Sequence, residues 1–434
     1  MIGKIRKWLI LALIPALCAA QAAGLSGRAA AAASEALPAE PSGPAETAEA
    51  ASVPGEAQDI TASCEVRVCS TPWNNTLITD GKYTSYWDSY KVRNPWVVIH
   101  SAQPMYGLYL CFRRLPSSFE IQVPGEEEDE WVPYRQGDVR FYHTYYDLDG
   151  VYDIRIQSTQ SGAHKMGFNE IFVFGEGKTP SWVQRWEPAE EKADILFLFA
   201  HPDDEILFLG GAIPTYAAEK GKRVAVAYLS YSNTTRRSEA LNGLWAMGVR
   251  HYPDFGGFQD KFSSKAEDAY KHLGKQKVQG WVAEMYRKYR PEAVVTHDLN
   301  GEYGHGQHKM VADAAVRCVE YAADPSKFTG SADQYGTWQV KKLYVHLWGD
   351  ESSQTRFDWN VPLESMGGKT GLELAKEAYA LHVTQENAKV KINRKWHLLS
   401  VEETGTVFSN TTFGLYASTV GPDETHTDFL EHIE

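Results

Sequence analysis

An unbroken apolar run, Ile195-Leu196-Phe197-Leu198-Phe199-Ala200, ends directly on His201-Pro202-Asp203-Asp204-Glu205. A run of this length without polar alternation fits a strand buried on both faces, as in a parallel sheet covered by helices. The polar cluster then falls at the carboxyl end of that strand, which is where open α/β sheets bind ligands. A second apolar run, Ala293-Val294-Val295-Thr296, is followed by Tyr303-Gly304-His305-Gly306-Gln307-His308. Two strands of the same kind therefore each deliver imidazoles to one edge of one sheet.

The surrounding pattern supports that frame. Strand-like runs at 194–200, 223–230, near His251, 293–297 and 341–347 alternate with helix-like stretches at 205–220, 235–247, 266–289 and 306–322. A last helix is predicted over 372–384, followed by an irregular tail. Residues 193–434 thus read as an α/β domain, a Rossmann-like, mostly parallel sheet with helices on both faces. The turn after the first strand lacks the glycine-rich pattern of a dinucleotide site, since His201 to Glu205 occupy it.

Residues 58–178 carry a different signal. Short runs such as Trp96-Val97-Val98-Ile99, Phe119-Glu120-Ile121-Gln122-Val123 and Tyr152-Asp153-Ile154-Arg155-Ile156 are separated by Asp80-Gly81, Pro124-Gly125 and Asp149-Gly150. Apolar alternation punctuated by turn dipeptides predicts an antiparallel β-sandwich. The aromatic content is 12%, with 13 Trp, which suits either stacking on sugar faces or filling a β-rich core. The acidic stretch 126–130 reads as a solvated hairpin tip.

The amino terminus places Lys4, Arg6 and Lys7 before an apolar stretch at 8–17, with small residues through Ala23. This is the layout of a signal peptide over 1–23, and it predicts a secreted, extracytoplasmic protein. Residues 24–57, rich in Ala, Pro and Glu, hold too little apolar surface to offset their ordering entropy and read as a disordered linker. The formal net charge of -13 argues against a nucleic-acid groove. No further apolar run is long enough to span a bilayer. After the signal segment four cysteines remain, Cys64, Cys69, Cys111 and Cys318; export permits disulfides, and buried free thiols fit equally well.

The two polar clusters contain what metal-assisted hydrolysis needs: three protein ligands, one open position, and a base near it. His201 and Asp204 sit three residues apart across a strand-to-helix turn and can converge on one ion. His308, at a helix start, can supply the third ligand. Asp203 lies between the first two and can face the attacking water, and His305 is placed to meet an oxyanion or a leaving amine. Two imidazoles and one carboxylate suit Zn²⁺, though Fe²⁺ uses a similar set. The bland alternative is that Asp203 or Asp204 merely caps a helix.

At these residues the chain resembles the LmbE-like (PIG-L) N-acetylglucosaminyl de-N-acetylases, through Ala-His-Pro-Asp-Asp-Glu at 200–205 and Tyr-Gly-His-x-x-His at 303–308. The resemblance implies that His201, Asp204 and His308 bind Zn²⁺, that Asp203 is the general base, and that His305 stabilises the oxyanion or acts as acid. It places Tyr303 near the substrate carbonyl. It makes Arg236, in Arg236-Arg237-Ser238-Glu239, a candidate for substrate hydroxyls; a surface pair with Glu239 is the plain alternative. Gln307 stands where many members carry a carboxylate, so the groups behind the ligands must differ. The sandwich resembles a discoidin-type galactose-binding-like module, through Asp80-Gly81, Tyr86-Trp87-Asp88 and Gly167-Phe168-Asn169-Glu170-Ile171, which implies a carbohydrate-binding role. The implied activity is zinc-dependent deacetylation of N-acetylated glycans or glycoconjugates. A glycan-binding protein with an idle metal domain, or an amidase on a non-sugar conjugate, would share these residues.

Overall fold

The computed structural model describes residues 55–433 apart from 232 and 393. The stretch read as a signal peptide and most of the stretch read as a linker lie outside the described residues. Among the described residues no helix is long and apolar enough to cross a membrane.

The first part is an antiparallel β structure. Its strands are β1 (Glu65–Val68), β2 (Trp87–Asp88), β3 (Trp96–Arg114), β4 (Phe119–Pro124), β5 (Trp131–Gln136), β6 (His143–Ser158) and β7 (Gly167–Phe174). They hydrogen-bond in the order β2-β7-β3-β6-β4-β5, with β1 on β3. The runs read separately from sequence at 96–99 and 106–110 belong to one long strand, β3. Its register against β6 shifts between His100 and Met105, and such irregularities let one strand bend and serve two layers. Trp87 is fully buried in this core beside Phe112, Phe119 and Phe168, whereas Trp73 is 70% exposed. The 126–130 stretch joins β4 to β5.

The second part is an open α/β sheet. Its strands are β8 (Ile195–Phe199), β9 (Val224–Ser230), β10 (Asp254–Phe258), β11 (Ala293–Thr296), β12 (Lys342–His346), β13 (Gln354–Arg356) and, near the carboxyl end, β16 (Thr412–Ser418). The order is β10-β9-β8-β11-β12-β16-β13; the first five run parallel, and β16 is antiparallel to both its neighbours. Every residue of β8 is buried, as the unbroken apolar run requires. The main helices are α1 (Asp204–Leu209), α2 (Thr234–Ala246), α3 (Ala266–Leu273), α4 (Lys275–Tyr289), α5 (Gly306–Ala323), α6 (Gly371–Ala380) and α7 (Val401–Phe408), with shorter helical segments at Ala212–Pro214 and Thr329–Tyr335. They cover separate apolar cores on the two faces. A two-stranded hairpin, β14 (Lys389–Ile392) with β15 (Lys395–Leu398), stands apart from the main sheet.

Some local readings needed correction. The stretch 205–220 is not one helix, because Gly210 adopts φ +55 and ends α1. The stretch 266–289 breaks at Gly274, with φ +88. A positive φ costs glycine little and cannot continue a right-handed helix. The tail is regular as well: it supplies α7 and β16.

The two parts pack through α2. Arg237 lies over the Tyr142 ring at 3.2 Å from its centroid and donates to the carbonyl of Phe112 at 3.2 Å. Arg113 donates to Thr234 Oγ1 at 3.0 Å. His143 meets Ser238 Oγ at 3.1 Å. The four described cysteines are free thiols.

Candidate metal and catalytic site

Strand order reverses on either side of β8, with β9 on one side and β11 on the other. Loops that leave the carboxyl ends of β8 and β11 diverge at such a switch point and open a crevice between them. His201 to Asp204 come from the first loop, and 297–308 from the second.

Three side chains meet there. His201 Nδ1 lies 3.2 Å from Asp204 Oδ2. His308 Nε2 lies 3.3 Å from Asp204 Oδ1 and 3.3 Å from His201 Nδ1. Bonds of about 2.0–2.1 Å to one tetrahedral ion set its donors about 3.3–3.4 Å apart. His201 Nδ1 and His308 Nε2 thus have the spacing of one edge of such a tetrahedron, and each faces a different oxygen of Asp204. His201, Asp204 and His308 are all buried.

The ring tautomers suit ligation. His201 Nε2–H donates to Gln307 Oε1 at 2.6 Å, and the Gln307 amide is itself held by donating to the carbonyl of Gln259 at 2.9 Å. His308 Nδ1–H donates to Glu302 Oε2 at 2.9 Å. Each ring thus turns its lone pair toward Asp204, as ligating histidines do when a second group holds the opposite nitrogen. The field favours positive charge: burial opposes protonation of His201, but Asp204 and Asp260 outweigh it and raise its pKa to about 10. Two imidazoles, one carboxylate and this field fit a single divalent cation.

The other residues singled out from sequence surround the trio. Asp203 is buried and adopts φ +102, a conformation disfavoured for a residue with a Cβ. Its carboxylate lies 3.0 Å from Arg236. Burial raises its pKa to about 6 against the pull of that guanidinium. Arg236 is not on the surface: it is 7% exposed, donates to the carbonyl of Pro202, and reaches Glu239 only at 3.8 Å. His305 caps α5, its Nδ1 accepting from the Gln307 amide at 3.2 Å. Burial, then the neighbouring His308 and His201, push its pKa down to about 2. A neutral His305 whose Nδ1 is an acceptor carries its proton on Nε2. The Tyr303 hydroxyl lies 3.5 Å from His308 Nε2. His201, Asp203, Asp204, Arg236, Tyr303 and His305 line one cavity of about 110 Å³, room for a small polar group rather than for a sugar chain.

Several participants escaped the sequence reading. Glu302 is fully buried and accepts from the Nδ1 atoms of His297, His308 and His346 at 2.8, 2.9 and 2.7 Å. Burial opposes its charge, yet these imidazoles hold it well below the usual carboxylate range. His297 Nε2 accepts from the Ala200 amide at 3.0 Å and so bridges the two loops. Asp260 approaches His201 Nε2 at 3.4 Å. His297 directly follows the β11 run, and that position was the one available signal.

Fold and site together define an open α/β sheet with candidate metal ligands at its switch point. Residues 196–319 match the PIG-L family, described as GlcNAc-PI de-N-acetylase. A 1D-myo-inositol 2-acetamido-2-deoxy-alpha-D-glucopyranoside deacetylase 1 of Catenulispora acidiphila is 29% identical over 179 residues, 35% of this chain and 54% of its own. The match spans about half the length of the curated relatives, 54% in that case. Among solved structures, an N,N'-diacetylchitobiose deacetylase from Pyrococcus horikoshii is similar at 17% identity and TM-score 0.35, over 44% of this chain and 71% of its own. Chitosan-binding module 1 of a Paenibacillus sp. IK-5 chitosanase/glucanase is similar at 15% identity and TM-score 0.24, over 27% of this chain and 99% of its own.

Proposed function

We propose that the protein is a secreted, Zn²⁺-dependent hydrolase that removes acetyl from N-acetylated amino sugars in glycans or glycoconjugates. The observation that carries the reading is the His201–Asp204–His308 trio, with spacings of 3.2–3.3 Å, beside a buried Asp203. The PIG-L match and the names of the curated relatives support an acetamido sugar as substrate. In this reading 1–23 is the signal peptide, 24–57 the linker, 58–178 the sandwich and 193–434 the deacetylase domain.

His201, Asp204 and His308 would hold the ion. Bound Zn²⁺ supplies Lewis acidity at the amide carbonyl and acidifies water at its open position. Asp203 takes the proton from the attacking water. Arg236 holds one oxygen of that carboxylate and leaves the other, which has no hydrogen-bond partner among the described residues, for the water. His305, neutral with its proton on Nε2, donates to the oxyanion as the carbonyl carbon becomes tetrahedral. Collapse breaks the C–N bond, and the proton gathered by Asp203 returns to the departing amine. Tyr303, its hydroxyl 3.5 Å from His308 Nε2, stands near the carbonyl. Arg236 serves as a positioning residue for Asp203 before any contact with substrate hydroxyls.

Metal analysis with acetate-release assays on N-acetylglucosamine oligomers tests the reading. About one zinc per chain, with acetate released, is the expected result. A chain that carries zinc but frees no acetate from any N-acetylated sugar overturns it.

A further inference from the structure

The β14–β15 hairpin stands at the rim of the metal cavity. Gln385, shortly before β14, and Leu399, directly after β15, both line that cavity. Val390 on β14 packs against the buried cluster of Leu207, Phe208 and Leu399, as Tyr303 and Phe408 do, so the hairpin's inner face is tied to the site wall. His397 fixes the other strand, its Nδ1 lying 2.6 Å from Glu403 Oε1 on α7.

The outer face is different. In the antiparallel register Lys391 opposes Trp396 and Lys389 opposes Leu398, and directly opposed residues share a face. Trp396 is 67% exposed, with the Lys391 ammonium 5.9 Å from its ring centroid. The stretch 389–395 holds Lys389, Lys391, Arg394 and Lys395 and no acid, in a chain of net charge -13. All four cations are exposed, and among the described residues none pairs with a carboxylate within 4.0 Å. Lys389 and Lys391 thus share the face of the exposed indole, Arg394 stands in the turn with φ +68, and Lys395 opposes Ile392 on the other face, so an acidic protein has gathered unpaired cations on one hairpin at the mouth of its reaction cavity. The cavity of about 110 Å³ is small beside a glycan chain, and the rim is the surface on which the rest of such a chain would lie.

We propose that the β14–β15 hairpin is a substrate arm for carboxylate-bearing glycans: Trp396 stacks on a sugar ring while the cations pair with uronate-type carboxylates along the same chain. This rests on the deacetylase reading for the direction in which the chain runs. Three of the four cations are Lys, single charges on separate flexible stems. These match dispersed single carboxylates better than the clustered oxygens that Arg forks hold. An indole offers a flat apolar face to a sugar.

The test is binding of a hyaluronan octasaccharide, in which N-acetylglucosamine alternates with a carboxylated sugar, against neutral chitohexaose, measured calorimetrically on the zinc-loaded full chain. At about 50 mM salt hyaluronan should bind at least roughly tenfold tighter, and the preference should shrink toward parity near about 500 mM as screening tightens. The combined variant K389Q/K391Q/R394Q/K395Q, with an unchanged Tm, should lose the preference. Trp396→Ala should weaken both glycans. Equal binding of the two glycans, a preference that survives the charge-removed variant, or binding to phosphatidylglycerol vesicles without glycan binding each overturns the proposal. Acetate release is scored separately. Hyaluronan preference without acetate from any N-acetylated sugar removes the deacetylase reading and leaves the arm; acetate release without the preference does the reverse.

Discussion

Glu302 Oε2 accepts the Nδ1–H of His308 at 2.9 Å, and the opposite nitrogen of the same ring faces Asp204 at 3.3 Å. A buried carboxylate behind the ring fixes the tautomer and raises the basicity of the nitrogen in front. The same carboxylate holds His297 and His346, so one side chain sets three rings.

Glu302→Gln should therefore weaken zinc binding by about 10–100-fold, the usual cost of losing a partner behind a ligand. It should also lower thermal stability, because one amide cannot accept from three imidazoles. Chelator competition and a melting curve check both. Unchanged zinc affinity would show that His308 is oriented by something else.

Asp203→Asn should keep zinc and lose about 10²–10⁴-fold in kcat, the range for a removed general base. His308→Ala should instead lose the metal. Zinc content measured beside kcat separates the two. An active Asp203→Asn enzyme would remove Asp203 from its role.

Arg237 carries a different load from its neighbour Arg236. It is 3% exposed, stacks on Tyr142 and donates to Phe112. Arg237→Ala should cost about 2–4 kcal/mol in urea unfolding, from a lost desolvated cation–π contact and an orphaned buried carbonyl. If the midpoint does not move, α2 does not depend on this contact with the sandwich.

His143 gives a pH signature away from the metal site. It is buried beside Tyr109, Gln184 and Ser238. Burial, then the charge of Arg237, push its pKa from 6.5 down to about 3. The unfolded chain then takes up a proton below pH 6.5 that the folded chain refuses. The stability from this group is complete above that value, falls as the pH drops, and stops falling near pH 3, where the folded ring protonates too. Unfolding free energies between about pH 6 and pH 4 should decline less steeply in His143→Gln than in the parent. Equal slopes would mean the ring gains its proton without unfolding.

The site was legible where its parts are local. An apolar run followed by His201-Pro202-Asp203-Asp204 reports both a buried strand and what stands at its end, because burial on two faces is written in consecutive residues. His305 and His308 are neighbours for the same reason. Helix breaks at Gly210 and Gly274 were harder to read, since a glycine in a helical pattern gives no sign of the sign of its φ. The tail hid β16 because its partner, β12, lies far off in the chain.

Sequence alone determined which side chains would stand at the sheet's edge: the periods of burial in β8 and β11 leave His201, Asp204 and the 303–308 cluster nowhere else to go. Only the tertiary structure decided how they are held. Glu302 reaching three rings, Gln307 turning His201, Arg236 bound to Asp203, and a cationic hairpin folded over the rim all join residues from separate loops. No local pattern encodes them, because each exists only once the strands have paired and closed the distance.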